Sequence, residues 1–276
     1  MLRIDAHQHF WKFHPVKDAW ITADMDVLRR DFLPEHLLPV LQENGMDGCV
    51  AVQADQSEAE NDFLLELAAK HDFIKGVVGW VDLQADNVAE RLDYYSQFKK
   101  IKGFRHILQD AANRALMLQP GFKRGISLLD KYHFTYDILV YPDQLTFAAE
   151  LAKLFPNQRF VLDHMGKPYI KDNEIIRWAS DMKQLAACEN VWCKISGLVT
   201  EANWKTWHQD TFIPYLDAIL ESFGTERLMF GSDWPVCRLA ADYHQVKAIV
   251  GNYFQQFSIS EQQKLFGGNA IDFYTL

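Results

Sequence analysis

Gly48-Cys49-Val50-Ala51-Val52-Gln53 is followed within a few residues by Ser57-Glu58-Ala59-Glu60. The first run is continuously apolar and of strand length, the pattern of a strand buried on both faces in a parallel sheet. Ser57 and Glu60 match a capping box, and Phe63, Leu64, Leu67 and Ala68 then recur at helical spacing. Strand, short loop and helix make one βα unit. Outward from it the unit repeats. Residues 4–11, 74–81, 101–106, 135–141, 159–164, 190–196 and 227–231 read as further strands. Helices are expected from Pro34 to about Asn44-Gly45, then near 87–98, 122–131, 142–155, 173–187, 210–223, 241–256 and 260–273. An irregular aromatic stretch from Phe13 to about Arg30, with Trp20 in it, separates the first strand from the first of these helices. Eight strands, each followed by a helix, with no linker, repeat or charge run between them, predict an α/β chain. The expected architecture is a single (β/α)8 barrel domain over residues 1–276. The alternative is an open doubly wound sheet, but no Gly-x-Gly-x-x-Gly opens any helix.

Composition narrows the function. The formal net charge is −9 and no block of Lys and Arg stands out, so neither nucleic acid nor an anionic membrane is an expected partner. An anionic ligand would need local Arg or Lys. Cys49, Cys188, Cys193 and Cys237 form no Cys-x-x-Cys pair, and Cys49 and Cys193 sit in strand-like runs as small hydrophobes. All four read as reduced, which suits a cytoplasmic protein. The N-terminus carries no apolar signal region, and there is no run of 18 apolar residues to span a membrane.

Barrel enzymes build their sites at the C-terminal ends of the strands. Here those ends are rich in titratable groups. Strand one ends in Ile4-Asp5-Ala6-His7-Gln8-His9-Phe10-Trp11. Alternation places His7 and His9 on one face, with Asp5 one step deeper on it. Strand four ends in Arg105-His106, of which one can point fully into the mouth. Strand six ends in Asp163-His164, where alternation turns Asp163 toward the helices if His164 faces inward. Lys194 on strand seven is either a buried lumenal amine that needs a partner or a side chain snorkelling between helices. Strand eight leads to Asp233, which is either a site carboxylate or the cap of the next helix. Trp11, Trp204, Trp207 and Trp234 fall in rim loops, where aromatic rings could stack on a sugar ring.

Asp5-Ala6-His7-Gln8-His9-Phe10-Trp11, Leu162-Asp163-His164-Met165-Gly166-Lys167-Pro168, Lys194-Ile195-Ser196-Gly197-Leu198-Val199-Thr200-Glu201-Ala202 and Phe230-Gly231-Ser232-Asp233-Trp234-Pro235, in this order, resemble the amidohydrolase superfamily. More narrowly they resemble its sugar-lactone hydrolases, the L-fuconolactonase and L-rhamnonolactonase type, related to 2-pyrone-4,6-dicarboxylate hydrolase. Gly268-Asn269-Ala270 through Tyr274 is similar to the same group. The resemblance implies a small-molecule lactone substrate, opened by water to its hydroxy acid. It implies Asp233 as base and proton carrier, with His7, His9 and His164 polarising the carbonyl through a metal or directly. Arg105, His106, Lys194, Trp11 and Trp234 are then candidates to hold the substrate. His7, His9, His164 and Asp233 would make a mononuclear site for one divalent, zinc-like ion. Two-metal members carry a bridging ligand on strand four or five. The endings Arg105-His106 and Val140-Tyr141 depart from that pattern, and some relatives work without metal. A metal-dependent decarboxylase of the same superfamily, or a hydrolase of a non-sugar lactone, is the alternative activity.

Overall fold

The apolar runs form β1 (Ile4–Gln8), β2 (Gly48–Val52), β3 (Ile74–Gly79), β4 (Ile101–Ile107), β5 (Thr135–Leu139), β6 (Phe160–Leu162), β7 (Val191–Ile195) and β8 (Leu228–Phe230) in a computed structural model that describes residues 1–276. They pair in parallel in sequential order, as one eight-stranded sheet. The sheet curls until its ends meet. Gln8 bridges to Trp234, His9 N donates to Trp234 O at 2.7 Å, and Asp233 N donates to His7 O at 2.8 Å. This closure is the (β/α)8 barrel expected from the repeat.

The helices are α1 (Pro34–Glu43), α2 (Glu58–Lys70), α3 (Val88–Ser96), α4 (Pro120–Leu129), α5 (Leu145–Leu154), α6 (Ile176–Ala186), the single turn α7 (Leu198–Glu201), α8 (Gln209–Phe223), α9 (Tyr243–Phe254), α10 (Ile259–Gln263) and α11 (Asn269–Tyr274). The final helix expected over 260–273 is divided by a π-type turn at Lys264–Gly268. Ser57 does cap α2, accepting from Glu60 N. The return half of the box is missing, because the Glu60 carboxylate instead accepts from Ala54 N and Lys17. No helix is long and apolar enough to cross a membrane. All four cysteines are buried and unbonded.

Alternation along the strands sorts the core into two. The larger part lies between sheet and helices and takes Cys49, Ala51, Phe104, Tyr136, Leu162 and Ile195 from the strands. The smaller part fills the barrel interior with Ile4, Ala6, Val50, Val52, Val78, Val161 and Met229, and α11 closes it with Ala270, Phe273 and Tyr274. One departure from alternation matters. Between Asp5 and Gln8, β1 carries one residue more than β2, where the partners are Cys49 and Ala51. Such a bulge resets which face the following side chains take. His7 therefore joins Ala6 inside, whereas Asp5 turns outward and binds the hydroxyls of Ser232 and of Tyr243 on α9. Asp5 is thus not beneath the histidines, as plain alternation had suggested.

Gly231, just beyond β8, leaves the room that His7 needs. A methyl group there would sit 2.6 Å from His7 Cβ and 3.2 Å from Ser196 Cβ. Gly231→Ala is expected to lower unfolding free energy by about 1–3 kcal/mol, as overpacking does. The measurement is urea denaturation, and a variant as stable as the parent would mean that the His7 backbone yields.

Candidate active site

The ends of β1, β4, β5, β6 and β7 bring buried charge together at the barrel centre. Lys194 is wholly buried, and its Nζ lies 2.5 Å from Asp137 Oδ2 and 2.9 Å from Asp163 Oδ1. Asp163 also receives Arg105 Nη1 at 3.0 Å and His7 Nδ1 at 3.2 Å. Tyr274, from α11, donates to Asp137 Oδ2 at 2.8 Å. Lys194 thus faces the lumen and lies below the site, where it cannot reach a substrate. Asp163 also faces inward, contrary to the helix-side reading. The strand's alternation carries Val161 and Asp163 inside together. It is His164 that departs from the strand, with a left-handed backbone at φ 53°.

His164 begins a run that no strand or ordinary helix could supply. His164, Met165, Gly166 and Lys167 have φ of 53°, 53°, 66° and 50°. For residues other than glycine this conformation costs roughly 1–2 kcal/mol each. Strain of this kind collects where a fold holds functional side chains in place. Its effect is to present His164 and Lys167 to the same cavity. Gly197 lets this turn pack, since a Cβ there would meet the His164 ring at 2.8 Å. Asp233 is also left-handed, at φ 56°, and it caps no helix in the structure.

Four groups converge on the floor of the mouth. His7 Nε2 lies 3.2 Å from His9 Nε2 and 3.9 Å from Asp233 Oδ1, and His9 Nε2 lies 3.4 Å from the same oxygen. His7, His164 and Asp233 each offer a ligand atom, all within 4.8 Å of one another. The remaining ring nitrogens are engaged elsewhere. His9 Nδ1 donates to Val52 O at 2.8 Å, His7 Nδ1 faces Asp163, and His164 Nδ1 meets Ser196 Oγ at 2.9 Å. Each Nε2 can then offer a lone pair, and that of His7 also lies 3.3 Å from the Arg105 Nη1 donor. Two lone pairs 3.2 Å apart repel unless a cation or proton lies between them. Two nitrogens bound tetrahedrally to one zinc at about 2.0–2.1 Å would be about 3.4 Å apart. The donor set therefore fits one divalent ion.

Electrostatics supports the same assignment. Burial keeps His7 well below its usual pKa and His164 down at about 4, so both are neutral ligands at neutral pH. Burial alone would raise Asp233, but the charged forms of His164 and His7 and a hydrogen bond from His9 outweigh it, so the carboxylate lies below its usual range and is already ionised when those two imidazoles turn neutral. Asp163 likewise has its burial outweighed, by Lys194, His7 and Arg105, and stays ionised. Burial pushes Asp137 up to about 6. Arg105 pairs with Asp163, and Lys194 with Asp137 and Asp163; neither pairs with Asp233.

Above this floor opens a cavity of about 220 Å³. Its wall includes Trp11, Trp20, Arg105, Gln109, Asp110 and Lys167. Of the residues named from sequence, His7, His9, His164, Asp233, Arg105 and Trp11 come together here. His106 does not. It faces the helix layer among Trp80, Phe122 and Tyr136, because its neighbour Arg105 takes the inward position. Trp234 is buried edge-on against Phe10 and Phe32 and cannot stack on a ligand. Trp207 packs on Phe212, and Trp204 donates to Thr200 O outside the cavity. Asp137, Trp20, Gln109, Asp110 and Lys167 went unassigned. Asp137 lies inside an apolar strand, where a lone carboxylate was itself a signal, since burying one requires a partner.

A family model described as amidohydrolase matches residues 4–276. The chain is 42% identical to an L-fucono-1,5-lactonase of Burkholderia multivorans, over 100% of this chain and 96% of that protein. It is 35% identical to an L-fucono-1,5-lactonase of Burkholderia ambifaria, over 99% and 96%. The crystal structure of a Burkholderia multivorans amidohydrolase with bound zinc superposes with a TM-score of 0.97 at 42% identity, covering both chains in full.

His106 provides a titration separate from the site. Burial lowers its pKa from the ordinary 6.5 to about 4. Between those values the unfolded chain holds a proton that the folded chain lacks, so stability falls as pH drops from 6.5 toward 4. His106→Phe removes this contribution. The variant is expected to lose less stability than the parent between pH 7 and pH 4, by roughly 3 kcal/mol. Denaturant midpoints across that range check it, and identical slopes for the two proteins would contradict it.

Proposed function

We infer, from a chain that belongs to the amidohydrolase family and hydrolyses a lactone, that its substrate is a sugar lactone of the L-fucono-1,5-lactone type and that Asp233 activates the water. The observation that carries this reading is the Asp233 carboxylate, 3.4 Å from His9 Nε2 and 3.9 Å from His7 Nε2 and close to His164, on the floor of a cavity walled by tryptophan and polar side chains. Ester hydrolysis requires a base for water, polarisation of the carbonyl and a proton for the leaving oxygen. Asp233 takes a proton as the water oxygen bonds to the carbonyl carbon, and the carbonyl electron pair moves onto its oxygen. When that pair returns, the ring C–O bond breaks, and Asp233 gives its proton to the departing ring oxygen. The product is one aldonic acid. Its carboxylate finds Lys167, whose Nζ is 3.3 Å from Glu201 Oε1 and which lies on the cavity wall.

An ordinary carboxylate is a weak base for free water. His7, His9, His164 and Asp233 would hold one divalent ion, which when bound acidifies water and polarises the carbonyl. The cavity is smaller than the ~300–1,000 Å³ typical of drug-sized ligand sites, which suits a single small ring. Trp11 and Trp20, edge to face with centroids 5.9 Å apart, give that ring an apolar wall. Four buried, unbonded cysteines suit a reducing, cytoplasmic compartment, and a sugar-lactone substrate places the enzyme in carbohydrate metabolism.

Proton release from a panel of fucono-, galactono-, rhamnono- and arabinono-lactones at neutral pH tests the reading. Acceleration over buffer is expected, greatest for the L-fucono compound, and a panel without acceleration would sink it. Asp233→Asn is expected to lower kcat about 10²–10⁴-fold while lactone binding persists. Unchanged turnover would remove Asp233 from the chemistry. Chelation should lower the rate and added zinc restore it. A rate indifferent to chelator, in protein free of stoichiometric metal, would assign polarisation to the histidines alone.

A further inference from the structure

Asp5 is wholly buried and has no place on the cavity wall. Its carboxylate accepts four hydrogen bonds, all from neutral groups. Oδ1 takes His7 N at 3.1 Å and Ser232 N at 2.9 Å. Oδ2 takes Ser232 Oγ at 2.6 Å and Tyr243 OH at 3.1 Å. Burying a carboxylate without a cation is costly, so stability alone is a poor reason to keep one there. The distribution of its bonds gives another. Three of the four come from the two segments that carry the site, β1 at His7 and the turn after β8 at Ser232.

Those segments meet at the seam where the barrel closes. Their backbones are joined by Asp233 N to His7 O and by His9 N to Trp234 O. Asp233 sits in this seam with φ 56°, a conformation unfavourable for any residue with a Cβ and kept only where neighbours hold it. Ser232 N donates to Asp5, Asp233 N to His7 O, and Trp234 N to Ser232 Oγ at 3.0 Å. The Ser232 hydroxyl in turn donates to Asp5. Two of the three N–H groups around Asp233 therefore lead to one carboxylate. Only a carboxylate has two acceptor oxygens to hold both, since an asparagine has one.

We propose that Asp5 is a positioning residue for lactone hydrolysis. It fixes the turn Ser232–Trp234 so that the Asp233 carboxylate stands 3.4 Å from His9 Nε2. This inference rests on the assignment of Asp233 as base and deepens it.

A double-mutant cycle on the full chain tests it, with the L-fucono lactone as substrate. Asp5→Ala is expected to lower kcat about 10²-fold, the effect of a small misplacement of a reacting group. Asp5→Asn, which keeps one acceptor, is expected to lose less, about 10-fold. KM should stay within about 2-fold of the parent in both, because Asp5 does not reach the cavity. In an Asp233→Asn background the same substitutions should cost less than about 2-fold more, since their effect runs through Asp233. Should Asp5→Ala fail to fold, Ser232→Ala carries the same cycle, because it breaks the link to Trp234 N and leaves the carboxylate in place. Unchanged kcat in the Asp5 variants, or the same loss with and without Asp233, would overturn the proposal and leave Asp233 as the base. Full turnover in Asp233→Asn would overturn the base assignment, and this inference with it.

Discussion

Lys194 is an ammonium group buried at the centre of a barrel, and much of the site follows from what that requires. An isolated buried charge costs many kcal/mol. The structure meets the requirement with two carboxylates, Asp137 on β5 and Asp163 just after β6, both within 3 Å. Each carboxylate then has oxygen capacity to use. Asp137 receives Tyr274 from the last helix, and Asp163 receives Arg105 from β4 and His7 from β1. One cation thereby links β1, β4, β5, β6, β7 and the C-terminus. Such a network is weak evidence for net stability, since desolvation offsets much of the Coulombic gain. What it does provide is orientation. With Nδ1 of His7 turned to Asp163, Nε2 is left to face His9 and Asp233.

The same economy appears around the mouth. Where strand geometry would send a side chain elsewhere, the backbone departs from the strand. The bulge in β1 turns His7 inward, the left-handed turn after β6 turns His164 and Lys167 inward, and Asp233 leaves β8 through a left-handed residue. Each departure is locally unfavourable and is held by neighbours: Ser232 and Tyr243 on Asp5, the open space at Gly197 and Gly231, and the Gln8–Trp234 closure. Floor and wall have different tasks. The floor arranges acceptors for a cation or a proton. The wall above it carries tryptophans, cations and polar side chains.

The repeating βα units, the sequential parallel sheet and the gathering of His7, His9, His164 and Asp233 at one rim could be read from the chain. Each rests on local information: apolar runs of strand length, helical spacing, or a titratable residue at a strand's end. Inward and outward assignments were less secure, because alternation holds only while the strand is regular. It placed Arg105 and His106 on opposite sides but could not say which was inside. It misplaced Asp5 at a bulge that depends on β2 as much as on β1, and it misplaced Asp163 by assuming that His164 was still in the strand.

By itself the sequence determined the class of fold, the rim at which chemistry would collect and the residue types available there, because periodicity and strand order are properties of neighbouring residues. Only the tertiary structure decided that Lys194 belongs to the foundation of the site rather than to its surface. It alone showed that His106 and Trp234 serve packing. Those outcomes depend on which groups from distant strands meet in a medium that does not forgive an unpaired charge, and no local pattern contains that meeting.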